Sequence, residues 1–170
     1  MKVIQKFLEE TQRAGMQTTL LHTPQEATSW LAGWVRDAQA VLVSGERSLQ
    51  VIQEFGKDVR ILKDWREALH RQDVVGVVDA VLGIAETGTL VLSARDPVLR
   101  IASLVPDRLA ILVPGTRIVR GFPEALAHLP SFWASYMVFL RGPSVTADIE
   151  KQIVHGVHGP RWVSVGIWLS

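Results

Sequence analysis

Glu86, Thr87, Gly88 and Thr89 place a carboxylate, two hydroxyls and a glycine that tolerates positive φ in consecutive positions. Such a turn can draw successive backbone N–H groups inward around an anion, with Thr87 and Thr89 as further donors and Glu86 as a base or nucleophile. The plainer alternative is a tight Gly-Thr turn between two strands with Glu86 in solvent, and a lone glutamate needs a partner before it can catalyse.

A second stretch of the same kind runs Gly142-Pro-Ser-Val-Thr-Ala-Asp-Ile-Glu150. It reads as a loop entering a helix, with Ser144 as the amino-terminal cap and Thr146 able to hydrogen-bond an anion at the positive end of the helix dipole. Asp148 and Glu150 in the first turn would satisfy that helix end without any ligand. Further on, His155-Gly-Val-His-Gly159 sets two imidazoles three residues apart in a glycine-rich loop. His158, beside Gly159, is a candidate hydrogen-bonding group; the pair has no carboxylate nearby to complete a metal site, and a turn-stabilising histidine is the simpler account. Arg141 precedes Gly142 and is the best-placed carboxylate or phosphate clamp, ahead of Arg117, Arg120 and Arg161.

These residues must be positioned by an α/β framework. Apolar residues at helical spacing predict a helix over Lys2 to Ala14, and Thr23-Pro24 announces a second one through Trp30, Leu31, Trp34 and Val35. Helices over Glu46 to Phe55 and Asp64 to His70 alternate with strands at Thr18 to Leu21, Ala40 to Val43, Val59 to Leu62 and Val74 to Val81. Strands at Thr89 to Ser93, Leu109 to Val113, Tyr136 to Leu140 and Trp162 to Trp168 follow, with short helices near Pro97 to Ser103 and Pro123 to Leu129. Repeated strand–helix units imply a mostly parallel sheet flanked by helices. The near-continuous apolar runs at Val74 and Leu109 belong in its middle, and Trp162 to Trp168 is expected near its edge. Trp30 and Trp34 read as core or as a contact between subunits of a homo-oligomer.

The 170 residues carry 18 basic and 17 acidic side chains, so no global field recruits nucleic acid or anionic lipid. Five arginines between Arg95 and Arg120 bias that stretch toward a small anionic ligand. There is no cysteine, so iron–sulfur clusters and thiolate chemistry must come from a partner. No apolar run is long enough to span a bilayer, no Gly-x-Gly-x-x-Gly fingerprint is present, and no signal pattern opens the chain, which reads as cytoplasmic and as one domain over residues 1–170.

Gly83-Ile-Ala-Glu-Thr-Gly-Thr-Leu90, followed at a distance by Gly142-Pro-Ser-Val-Thr-Ala-Asp-Ile-Glu150 and Gly156-Val-His-Gly-Pro160, resembles the signature segments of the lactate-utilization (LUD) domain family. Their order and separation agree with that family from about Val41 onward. The resemblance implies a fold similar to the sugar-phosphate isomerase and coenzyme A transferase group. It also implies a non-redox subunit in a system that oxidises L-lactate to pyruvate, with iron–sulfur clusters carried by partner subunits. On it, Glu86 is the candidate catalytic residue, and Thr87, Gly88, Thr89, Arg141, Gly142, Ser144, Thr146, Asp148, His158 and Gly159 are candidate ligand-binding residues. Arg141 and Val145 depart from the family pattern, which commonly has a small hydroxyl residue and a basic residue there. A stand-alone enzyme on an anionic metabolite, using Glu86 in the manner of isomerases or coenzyme A transferases, is the alternative.

Overall fold

The computed structural model describes residues 2–54, 59–95, 97–143, 145–147, 153–155 and 159–169; at 145–147 and 153–155 the description is of backbone only. Helices are α1 (Lys2–Arg13), α2 (Pro24–Val35), α3 (Glu46–Gln53), α4 (Pro97–Leu104) and α5 (Phe122–His128). Strands are β1 (Gln17–Leu21), β2 (Ala40–Ser44), β3 (Val74–Asp79), β4 (Leu82–Ile84), β5 (Thr89–Ala94), β6 (Arg108–Pro114), β7 (Ile118–Val119), β8 (Tyr136–Leu140), β9 (Val145–Ala147), β10 (Ile153–His155) and β11 (Trp162–Trp168). No described helix is long and apolar enough to cross a membrane.

The main sheet is parallel throughout, in the order β1-β11-β6-β3-β2. Its central strands are apolar on both faces because both faces are covered. Val75, Val77, Ala110 and Leu112 meet α2 and α3 through Ala27, Leu31, Val51 and Ile52. On the opposite face Val78, Leu109, Ile111 and Val165 meet Phe7 of α1, Leu99 and Ala102 of α4, and Leu90 and Leu92 of β5. Each fully buried leucine or valine contributes about 1.5–3 kcal/mol of transfer free energy, so these two layers carry most of the stabilisation.

A second, mixed sheet, β7-β4-β5-β8, stands beside the first and has α5 and the 3₁₀ segment Leu129–Phe132 on its far side. The chain changes sheet at Asp79: the Ala80 N–H donates to Leu112 of the main sheet and the Val81 N–H to Val91 of the second. That crossing ends the expected strand Val74 to Val81 at Asp79, and β4 begins just beyond it at Leu82.

Trp162–Trp168 lies near the sheet edge, as expected, with only β1 outside it. Two other expectations differ in detail. Val59 to Leu62 forms only one parallel bridge, Val41 with Ile61. The segment from Trp65 to His70 is a 3₁₀ helix, capped by the Asp64 carboxylate as its N-cap position requires.

Helix α4 lies so close to β3 that a Cβ on Gly76 would sit 2.0 Å from the Ala102 carbonyl oxygen, whereas one on Gly33, in the interior of α2, meets nothing within 4 Å. Gly76→Ala is therefore expected to destabilise the protein by about 2–3 kcal/mol or more in urea unfolding, because backbone must move. Gly33→Ala, in the same assay, is expected to stabilise by about 0.5–1 kcal/mol through helix propensity.

Candidate functional site

Strands β4 and β5 form an antiparallel hairpin closed by residues 85–88. Every N–H of that turn is committed. Ala85 donates to the Val119 carbonyl and Glu86 to that of Arg120, both at 2.9 Å; Thr87 and Gly88 both donate to Ile84, at 3.4 and 2.9 Å. The inward-facing nest of free amides anticipated from the sequence is thus not formed. What the turn presents instead is hydroxyls: Thr87 Oγ1 and Thr89 Oγ1 lie 2.7 Å apart.

Gly88 takes φ +66°, and a Cβ there would fall 2.6 Å from the main chain of Glu10 and Thr11. The hairpin tip therefore rests directly on the backbone of α1. The second signature segment docks on the same helix. Gly142 has φ +87°, its absent Cβ facing the Ala14 carbonyl oxygen at 2.4 Å. Between the two contacts, Arg141 Nε donates to the Thr87 carbonyl at 2.9 Å, joining residues 54 positions apart. The structure thus brings Thr87, Gly88, Thr89, Arg141 and Gly142 together around the second half of α1.

That helix adds charge the sequence reading overlooked. Glu10 is 5% exposed, and its Oε1 accepts from Lys6 Nζ and Arg13 Nη1, both at 2.6 Å. The hydrogen bond from Lys6 holds its carboxyl below the usual glutamate range; burial opposes this, and the charges of Arg13, Lys6 and Arg141 reinforce it. Three cations therefore surround one ionised carboxylate, leaving a local excess of positive charge. Thr11, beside it, donates to helix carbonyls and accepts from Thr18 Oγ1 at 2.8 Å. The signal was available in the sequence: Glu10 and Thr11 fall three and four residues after Phe7, polar groups on the apolar stripe of an amphipathic helix.

Other candidates fall elsewhere. Glu86 is exposed, its carboxylate lying against Gly121, where a Cβ would be 2.7 Å from Oε2. The helix expected to begin at Ser144 is replaced by strand β9, paired antiparallel with β10, and His155 belongs to that second strand rather than to a loop. Thr146 is a β9 position; Ser144, Asp148 and His158 lie outside the described residues. Gly159 has φ +136° and is half-buried. Of the other arginines, Arg161 pairs with Asp107 at 3.5 Å, and Arg100 and Arg117 lie over the rings of Tyr136 and Phe132.

Asp79, which the sequence reading treated only as an interruption of an apolar run, forms a separate polar cluster at the carboxyl end of β3. It accepts from the N–H groups of Arg47 and Ser48 at 2.9 and 3.0 Å and from the Ser48 hydroxyl. Its carboxylate caps α3 from the end of β3, the strand next to β2, and occupies the space a Cβ on Gly45 would need, 2.3 Å away. Burial pushes its carboxyl above the usual aspartate range against these hydrogen bonds.

A family profile described as the LUD domain matches residues 4–166. Lactate utilization protein C of Geobacillus thermodenitrificans (strain NG80-2) is 32% identical over 172 residues, covering 85% of this chain and 72% of that protein. Lactate utilization protein C of Geobacillus kaustophilus (strain HTA426) is 33% identical over 109 residues, 56% of this chain; the matched stretch spans only 45% of that protein's length. The crystal structure of a DUF162 family protein from Deinococcus radiodurans shares the fold, with a TM-score of 0.68 at 20% identity, covering 98% of this chain and 96% of that one.

Glu10, which is buried, and Asp79, which is partly buried, act on stability with opposite signs. Glu10, depressed in the folded state, supplies stability that is present above the unfolded glutamate range and lost as pH falls through its folded value; Asp79, raised, supplies stability present below the ordinary aspartate range and lost as pH rises through its folded value. Glu10→Gln should therefore unfold at lower urea concentration than the parent at neutral pH, and the gap should close as both are acidified below the glutamate range. A gap independent of pH would remove ionised Glu10 as its source.

Proposed function

The chain belongs to the LUD domain family, and on that premise we propose that it serves lactate utilization as a non-redox component that binds a small anionic ligand where α1, the Glu86–Thr89 turn and Arg141 meet. The observation that carries the reading is the hydrogen bond from Arg141 to Thr87, which holds a guanidinium beside the paired hydroxyls of Thr87 and Thr89. Among the described residues no carboxylate forms an ion pair with Arg141. A guanidinium next to two hydroxyls suits a carboxylate bearing an adjacent hydroxyl or carbonyl, which is the chemistry of a 2-hydroxy acid and of its oxidised product. The excess charge of Lys6, Arg13 and Arg141 over Glu10 supplies attraction of the right sign.

Oxidising a hydroxy acid needs an electron acceptor, and a chain without cysteine has no thiolate to ligate an iron–sulfur cluster. The electrons would pass through cluster-carrying partner subunits, with this chain contributing ligand binding and assembly. A second reading, a stand-alone enzyme on an anionic metabolite, draws on Glu86, an exposed carboxylate immediately before Thr87, whose carbonyl accepts from Arg141, and lying against Gly121.

Calorimetric titration with lactate, pyruvate and inorganic phosphate separates these readings. Saturable binding of lactate or pyruvate is expected, weakened about tenfold or more by Arg141→Ala or Thr87→Val, since each deletes a hydrogen bond to a charged ligand. Glu86→Gln should leave that affinity unchanged in a binding component. If the pure chain instead turns over a metabolite and Glu86→Gln abolishes the turnover, the enzyme reading replaces the first.

A further inference from the structure

Strand β1 ends the main sheet, and among the described residues no strand pairs with its outer side. The Leu169 N–H donates to the Leu21 carbonyl, so Leu21 faces β11 and, by strand alternation, Thr19 and Gln17 do too. The main-chain groups of Thr18 and Leu20 therefore point outward, and the next outward residue, His22, has its N–H taken by the Glu26 carboxylate at 2.8 Å. The edge is five residues long, Gln-Thr-Thr-Leu-Leu, with no charge, no proline and no bulge. Edges without such protection are templates for another strand.

We propose that a second copy of this chain completes this edge, β1 pairing antiparallel with its counterpart about a two-fold axis at Thr19. The pattern of groups selects this occupant. With Thr19 on the axis, Thr18 of each copy meets Leu20 of the other as a hydrogen-bonded pair, so the two outward residues satisfy one another and nothing is left over. Thr19 then faces Thr19, a cross-strand pair that favours association. The same axis sets α1 antiparallel to its counterpart. The helix side that borders this edge carries Lys2 at its start and Glu9 farther on, so each copy brings lysine opposite the other's glutamate. Between α1 and the edge runs a groove of about 570 Å³ floored by Ile4, Leu20 and Leu169, apolar surface that the partner helix would cover. The result is one continuous ten-stranded sheet with an isologous interface. It lies apart from the Arg141–Thr87 cluster and does not depend on the function proposed for that cluster.

The absence of cysteine gives a direct test. A non-hydrogen-bonded antiparallel pair has its Cα atoms about 4.5 Å apart, within disulfide range. Light scattering on the eluted protein should give twice the chain mass, and Thr19→Cys should cross-link under mild oxidation far faster than Trp133→Cys, whose side chain is 71% exposed. Thr19→Glu and Thr19→Lys, each placing like charges across the axis, should raise the dissociation constant roughly tenfold or more. Mixing those two variants should restore association. A monomer at the highest attainable concentration overturns the proposal. So does a dimer in which Thr19→Cys cross-links no faster than Trp133→Cys, or one that both charged variants leave intact.

Discussion

Main chain laid directly on main chain is the constraint from which the arrangement of this protein follows. At Gly88 and again at Gly142 a loop approaches the second half of α1 more closely than any side chain permits, and both glycines hold positive φ to do it. The two loops are far apart in sequence but lie at the same end of the paired strands β5 and β8, where Leu90 stands opposite Leu140, and the helix gives them a common seat. Pairing of β5 with β8 sets Arg141 beside the Thr87 carbonyl, and the glycine contacts add the charges of α1 to the hydroxyls and the guanidinium.

The buried side of α1 explains why that seat is rigid. Phe7 packs against Gly83, where a Cβ would lie 3.0 Å from its ring, and so locks the helix to β4 one turn before the polar residues begin. Glu10 and Thr11 then occupy the positions that would otherwise be apolar. Burying a carboxylate there is tolerable because Lys6 and Arg13 both bond to it. The opposite arrangement holds at Asp79, where the donors are main-chain N–H groups of α3 and one hydroxyl, and burial prevails over them. One carboxylate is part of a charged surface cluster; the other is a fastener inside the framework.

Much of this was legible in the residues because the relevant signals are local. Thr23-Pro24 caps α2 as its side-chain oxygen and fixed φ require, and the unbroken apolar runs at Val74 and Leu109 mark strands covered on both faces. Gly88 was recognisable as a turn glycine. What its conformation was for was not, because the reason lies in a helix more than seventy residues away. Trp162–Trp168 does lie near the sheet edge, and the strand that covers its outer side, β1, comes from the other end of the chain, which no local pattern in the residues records. At Val145–Ala147, cap-like residue types pointed to a helix, whereas pairing with β10 decides for a strand. Capping signals state what a helix end would need, and cannot register a partner strand.

The pairing of β1 with β11 also bears on how the chain is made. The first strand of the main sheet acquires its neighbour only from the last, more than 140 residues on. While synthesis proceeds, the central strands, α2 and α3 can assemble as they emerge, but the slot between β1 and β6 stays empty until Trp162–Trp168 has left the ribosome. Loop-closure entropy of that size delays folding, and the nascent protein holds the unsatisfied flanks of β1 and of the apolar strand β6 in the meantime. The fold therefore carries its greatest exposure to aggregation, and its greatest demand on chaperones, in the interval between the synthesis of β6 and that of β11.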